Sequence, residues 1–287
     1  MNFKYINKHL GIGLILSMLF LASCTEKIDI ELDESYTRLV VEGVITTDTT
    51  AHTISLNTTT SYYFEEPAPA VTNATVTLYD GESTITLSET SPGRYQTPAD
   101  YFGIPGRTYR LDIKLNSPLN GEDSYSAEST MNLPAPLDSI RAVYHEDWGT
   151  EGFYEIKCYV LDPLTTDYYQ FKVLKNNTMI TDSLNKVLIT DDRFYNGNYT
   201  NGIGVGYLNQ AFEAEKVAPG DQLTIQSSRI SETFFRFVTE LQIQSGFQTP
   251  LFSGPPANVQ GNISGGAIGY FTAYPVNYTS TIAEGSR

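Results

Sequence analysis

Thr75-Val76-Thr77-Leu78-Tyr79-Asp80-Gly81 is the stretch on which the fold class turns. Val76 and Leu78 alternate with polar neighbours, which places them on one face of an extended chain whose side chains repeat every second residue. Asp80-Gly81 suits the positive backbone dihedrals of a tight hairpin turn, and Ile85 and Leu87 resume the alternation behind it. Outward from here the pattern repeats. Leu39 to Thr46 is a mostly apolar strand, and Ile54 and Leu56 face inward between His52 and Thr58. Pro92-Gly93 turns the chain before Arg94-Tyr95-Gln96, then Tyr109, Leu111, Ile113 and Leu115 share a face, and Tyr125 to Met131 follows. About seven short strands at regular spacing predict a mainly β protein whose residues 36–133 form an immunoglobulin-like sandwich. Paired cysteines and a strand tryptophan, as in an antibody domain, are missing from that stretch. Tyr62 to Ala70, with Glu65, Glu66, Pro67 and Pro69, reads as an exposed loop.

Leu133-Pro134-Ala135-Pro136 stiffens the chain and blocks helix and central strand, so a second, β-rich domain is expected over 134–287. Ile140 to Tyr144, Phe153 to Leu161, Tyr168 to Leu174, Tyr207 to Phe212 and Gln222 to Ser227 read as strands. Asn176-Asn177 is a turn, and Met179 to Leu184 with Lys186 to Thr190 suggests a hairpin. Asp191 to Gly206 reads as a long polar loop. One helix near 231–245 is predicted from Phe234, Phe237, Val238 and Leu241, an apolar stripe at helical spacing; Ser231 caps its start and Ser245-Gly246 ends it. Ile268, Tyr270 and Thr272 begin a last strand, after a loop expected to plug the end of the second domain.

At the other end, Lys4 and Lys8 precede an apolar run from Leu10 to Ala22 that closes in Leu21-Ala22-Ser23-Cys24. A basic start, a short apolar segment and small residues before a cut site predict a secretory signal over 1–23. The run is shorter than the roughly 20 residues that cross a bilayer. Cysteine directly after Leu-Ala-Ser matches a bacterial lipobox, so Cys24 is the expected lipidation site, its thiol and amine carrying acyl chains. Residues 24–35, with Glu26, Asp29, Glu31, Asp33 and Glu34, then form an acidic tether.

The 287 residues hold 33 acidic and 18 basic side chains. Loss of Lys4 and Lys8 leaves a mature chain near −17, a surface that repels phosphate backbones and excludes nucleic acid as a natural partner. With Cys24 acylated, Cys158 has no disulfide partner in the chain and reads as a buried apolar side chain. Catalytic signals are sparse. His145-Glu146-Asp147-Trp148 opens like a zinc motif, but Gly149 stands where the second histidine is needed. Gly202, Gly204 and Gly206 lack the strand-turn-helix context of a phosphate loop. Asp191-Asp192 with Asn196, Asn198 and Asn201 is oxygen-rich like a calcium loop, yet its spacing fits none and a solvated turn is the expectation. No catalytic residue, metal or cofactor is therefore expected. Aromatic residues in loops are the better lead, because they offer rigid contact area. Tyr62, Tyr63, Phe64, Trp148, Tyr195 and Tyr199 are candidate contacts for a ligand or partner, together with Asn258 and Asn262 of the tail.

That tail is distinctive: Phe252-Ser253-Gly254-Pro255-Pro256-Ala257-Asn258-Val259-Gln260-Gly261-Asn262-Ile263, then Gly266-Ala267-Ile268-Gly269-Tyr270-Phe271. With Leu39 to Thr46 and the lipobox it resembles a Bacteroidetes lipoprotein family, the domain of unknown function DUF4249. The resemblance implies a lipid-anchored protein of the outer membrane, on the cell surface or its periplasmic face, encoded near TonB-dependent transporters. It implies no mechanism. The functional expectation is a non-enzymatic lipoprotein that binds a ligand or assists such a transporter. An adhesion or envelope-structural module is the alternative, and a carboxylate-dependent hydrolase stands behind it.

Overall fold

The structure is a computed structural model that describes residues 37–60, 67–246 and 259–284. From Thr37 onward the chain forms one compact unit, mainly β, with one α-helix among the described residues.

In the first lobe, β1 (Leu39–Thr46), β2 (Thr53–Thr58), β6 (Arg94–Gln96) and β5 (Ser88–Ser91) form one sheet in the order β1-β2-β6-β5. The second sheet orders β4 (Thr84–Thr86), β3 (Thr75–Tyr79), β7 (Thr108–Leu119) and β8 (Glu122–Thr130) as β4-β3-β7-β8. This is the A-B-E-D and G-F-C arrangement of an immunoglobulin-type sandwich, with β4 as the extra strand beside C. The alternation that marks each strand supplies the interior: Val41, Ile54, Leu56, Val76, Leu78 and Leu111 are completely buried between the sheets. Tyr109 begins β7 and turns its phenol back onto the preceding loop, accepting from the Ile104 N–H at 2.5 Å and donating to the Ile104 carbonyl at 3.3 Å. That is the tyrosine corner of this fold, and Leu111, two residues on, fills the place a core cysteine takes in antibody domains.

The second lobe repeats the connectivity. β9 (Ser139–His145), β10 (Phe153–Tyr159) and β14 (Ile203–Asn209) form a sheet ordered β14-β10-β9. β12 (Thr178–Met179), β11 (Tyr168–Lys175), β15 (Gln222–Ile230) and β17 (Asn277–Ile282) form the facing one in that order, and β13 (Leu188–Asp191) also pairs with β11. Ile156, Val173, Leu208, Leu223 and Ile225 fill the space between them. Cys158 is buried there as expected, and burial pushes its thiol up to about 12.

The two lobes are tied by what lies between β15 and β17. Helix α1 (Glu232–Ser245) starts at Ser231, whose hydroxyl accepts from the Phe234 N–H at 3.2 Å. Its Phe234 and Val238 pack on Tyr270 and Tyr274 of β16 (Ile268–Tyr274). β16 runs parallel to β1, with Val41 opposite Gly269 and Gly43 opposite Phe271. It therefore joins the first lobe's sheet, and Phe271 and Ala273 enter that lobe's core while Tyr270 and Tyr274 meet the helix. Two residues later the chain enters β17 of the second lobe.

Three expectations change here. The chain after Pro134 does not stay in a second domain: Ile263, Ala267, Phe271 and Ala273 belong to the first core, because β1 leaves an open edge that β16 fills. The described end of the tail loop, 259–267, consequently lines the first lobe rather than plugging the second. Met179 to Thr190 is not a hairpin, since β12 has two residues and Leu184–Lys186 is a single 3-10 turn. The long loop ends before Ile203, for Gly204 and Gly206 are strand residues in β14. A Cβ on Gly206 would stand 2.7 Å from Val173 Cγ2, and one on Gly204 would displace the Tyr207 phenol.

Two outcomes test this arrangement. Phe271→Ala removes a fully buried ring from the strand that joins the lobes, and chemical denaturation should show a loss of about 3–5 kcal/mol. His52 is buried with Nε2 unpartnered, and burial holds its pKa below the ordinary 6.5. The unfolded chain then takes up the proton first as pH falls. Stability attributable to His52 is complete above pH 6.5 and lost as pH drops below it, so His52→Leu should flatten the melting-temperature profile below pH 6.5.

Candidate functional site

The outer face of the β14-β10-β9 sheet carries a cluster of polar and aromatic side chains. Alternation along β10 sends Tyr154, Ile156 and Cys158 inward, which leaves Phe153, Glu155, Lys157 and Tyr159 on the other side. Register does the rest: Phe153 lies opposite His145 on β9, Lys157 opposite Arg141, and Glu155 opposite Tyr207 on β14.

Glu155 sits at the centre and is 8% exposed, low for a carboxylate on an outer face. His145 Nε2 lies 2.8 Å from its Oε2, and Lys157 Nζ lies 3.4 Å from the same oxygen. Two cationic or donor groups on one carboxylate oxygen compensate its removal from water. The indole of Trp148 stacks on the His145 ring with centroids 3.8 Å apart and planes 5° from parallel, and Tyr207 stands 6.4 Å from the indole. Trp148 and Tyr207 remain 41% and 46% exposed, so each ring offers one face to solvent. Burial, then the Glu155 charge, raises the Tyr207 phenol above its ordinary pKa, and it stays a neutral donor.

Glycines shape the floor and the turn. A Cβ at Gly204 would fall on Tyr207 Oη and Glu155 Oε1, so the missing side chain lets the phenol fold over the strand beside the carboxylate. The turn that carries Trp148 has Gly149 at φ +70° and Gly152 at φ +80°, in the left-handed region that favours glycine. Gly152 also lies tight under the Tyr144 ring. The result is a rigid aromatic shelf beside an acceptor held between two bases. It can stack a sugar ring or a flat apolar side chain and bind a neighbouring hydroxyl or amide.

The other expected contacts are distributed differently. Trp148 alone of them lies on this shelf. Tyr195 is half-buried and borders a small internal cavity, while Tyr199 is 44% exposed and pairs with Leu161. Asn262 is a structural clamp: its amide donates to the Phe271 and Glu128 carbonyls at 2.7 and 3.2 Å, and its oxygen accepts from the Phe271 N–H at 2.9 Å. The amide holds β16 against β8. Cys24, Tyr62, Tyr63, Phe64 and Asn258 lie outside the described residues. Glu155, Lys157 and Tyr207 were not singled out by sequence. The polar residues alternating with Tyr154 and Ile156 were the available signal, but only pairing with β9 and β14 brings them to Trp148.

Among the described residues no three His, Cys, Asp or Glu side chains are grouped to hold a metal ion, and no helix is long and apolar enough to cross a membrane. The family profile titled "Domain of unknown function (DUF4249)" matches residues 25–280. The chain belongs to the DUF4249 family. No curated protein matches this DUF4249 chain. Among the solved structures that do is a two fibronectin type-III domain segment from chicken tenascin, with 12% identity and a TM-score of 0.20 over 67% of this chain and 90% of that one.

Trp148 is the single tryptophan, so its emission reports this shelf alone. His145→Ala uncovers the stacked face of the indole and should move the emission maximum to longer wavelength, while Tyr159→Phe on the same sheet leaves it in place.

Proposed function

We propose that this DUF4249 protein is an exported lipoprotein, anchored through Cys24 to the outer membrane of a Bacteroidetes cell, that binds through the second lobe without catalysing a reaction. The observation that carries the binding role is the exposed Trp148 and Tyr207 pair beside the sequestered Glu155. Water-exposed aromatic faces fixed by a stacked histidine lose little conformational entropy when a ligand covers them. A saccharide or a peptide edge fits that chemistry. A TonB-dependent transporter is the proposed partner, with the ligand passed from the shelf to the pore. The lipobox and acidic tether support the anchor and presentation at the cell surface. A non-catalytic role is favoured because Glu155 is engaged by His145 and Lys157 on one oxygen, whereas carboxylate hydrolysis calls for a second acid facing it across the substrate.

Mass spectrometry of the purified chain should find acyl groups on Cys24, and Cys24→Ser should move the protein from the membrane fraction to the soluble one; an unmodified thiol overturns the anchor. Affinity purification from intact cells, with and without surface protease, tests the rest. An outer-membrane transporter should co-purify with the wild-type chain and be depleted at least about tenfold with Trp148→Ala/Tyr207→Ala, the scale of losing two aromatic anchors. Recovery of matrix components in place of a transporter identifies an adhesion module instead.

A further inference from the structure

Two loops at one end of the second lobe, 160–167 between β10 and β11 and 192–202 between β13 and β14, are laced into one platform. The Asp162 N–H donates to the Asn198 carbonyl at 3.0 Å, and the Gly197 N–H donates to the Pro163 carbonyl at 3.1 Å. The Asn196 amide donates to the Thr165 carbonyl at 3.2 Å, and Leu161 bridges to Tyr199. Gly197 has φ +73°, and a Cβ there would fall on the Leu164 side chain, so Leu164 lies across the neighbouring turn. Phe194 stands on that same turn, where the Tyr195 and Asn196 N–H groups donate back to the Asp192 carbonyl. Tied as they are, the loops hold large apolar side chains away from the protein: Leu164 is 89% exposed, Phe194 82% and Leu161 64%, with Tyr199 beside them.

Charge is distributed to match. On a chain with 33 acidic and 18 basic side chains, these two loops turn every carboxylate inward. Asp162, Asp167 and Asp192 are at most 6% exposed. Asp162 accepts from the Tyr169 hydroxyl at 2.9 Å, Asp192 accepts from the Asp167 N–H at 2.8 Å, and Arg229 is bound to Asp167. Asp191, at the end of β13, is covered by Arg193, whose Nε reaches its two oxygens at 2.8 and 2.9 Å. What the platform shows to solvent is Leu, Phe, Tyr, Thr and Asn, with one arginine already paired.

We propose that this platform dips into a zwitterionic lipid surface, with Leu164 and Phe194 as the inserted side chains and Leu161, Tyr199 and Arg193 at headgroup level. Grouped exposed apolar side chains mark a membrane or protein contact. Sinking apolar tips while Tyr and Arg keep their polar ends in the headgroups is how a protein rests on a bilayer. A protein hot spot, by contrast, sits in a packed pocket whose shape guides its partner. Leu164 and Phe194 stand clear of their own chain on nearly all sides, and a fluid lipid interface asks for no such fit. The hydrogen bonds between the loops hold the tips out in advance, so insertion has little left to order. The acidic remainder of the chain is repelled by anionic lipid, and the neutral platform therefore favours zwitterionic headgroups. Neither the Trp148 shelf nor acylation of Cys24 is needed for this contact.

The test uses the chain from Thr25 onward, which keeps the whole compact unit and lacks both Cys24 and the apolar run from Leu10 to Ala22. It should float with phosphatidylcholine vesicles, and less with vesicles that contain phosphatidylglycerol, a difference that shrinks as salt is raised. Leu164→Ser and Phe194→Ser should each weaken binding to phosphatidylcholine at least about tenfold, the scale of one such side chain left in water. Both positions are exposed enough to leave the fold intact, which an unchanged melting temperature checks. Ile243→Ser, at an exposed position on the helix, should leave binding in place. Phe194→Trp in a Trp148→Phe chain should give emission that brominated acyl chains quench. No flotation, flotation that survives Leu164→Ser and Phe194→Ser, or unquenched emission from the Phe194→Trp chain overturns the proposal. Absence of flotation together with an envelope protein that is captured by the wild-type chain and lost with both serine variants makes the platform a protein contact instead.

Discussion

The parallel pairing of β16 with β1 is the constraint on which the rest of the molecule depends. An immunoglobulin-type sandwich ends in open edges, and an unpaired edge strand presents a row of unserved amides and carbonyls. The first lobe solves this with a strand borrowed from the far end of the chain. Because β16 is covered on both sides, by Phe271 in the core and by Tyr270 and Tyr274 against the helix, it works as a shared wall rather than an added edge. Ser126, Ser129 and Asn262 reinforce it from β8 and from the loop that leads in: the Ala273 N–H donates to Ser129 Oγ at 2.9 Å, and the Ser126 N–H donates to Ser264 Oγ at 2.7 Å.

That wall fixes the second lobe as well. β16 passes through Pro275-Val276 straight into β17, and the Val276 N–H donates to Thr47 Oγ1 at the end of β1. The lobes are thus connected twice, once through Leu133 to Pro136 and once through this strand pair. Two immunoglobulin-type sandwiches joined by a proline linker alone would be free to reorient. Here the helix and β16 act as an insertion between the last two strands of the second lobe, and they remove that freedom. This holds the Trp148 shelf at a fixed position relative to the start of β1.

The two polar sites in the second lobe illustrate opposite ways of handling a buried acid. On the outer face, Glu155 is paired by His145 and Lys157, and the aromatic rings shield it from solvent. Inside, Arg229 serves Asp167 and leaves Asp162 and Asp192 with one unserved oxygen each. The first arrangement is complete as it stands and is open to a visitor. The second leaves its acids short of partners.

Much of the strand plan was legible in the sequence, because β2, β3 and β7 each bury one face only and so alternate with period two. The helix was legible for the matching reason: Phe234 and Val238 at i and i+4 must share a face, and Ser231 ahead of them serves a free amide. Where an element is buried on both faces or is very short, the period vanishes. β16 reads as an undivided apolar run, and β12 with two residues has no period to show. Gly204 and Gly206 read as a loop because glycine has no side chain to alternate, although Tyr207 and Val173 close over the space a Cβ would take in β14. Partnership between distant segments was decided by tertiary structure alone. That β16 belongs to the first lobe, that Glu155 meets His145 and Tyr207, and that Asp162 shares a cavity with Asp192 all follow from register and packing. A chain's local pattern records which way each side chain faces, but not which other side chain it will face.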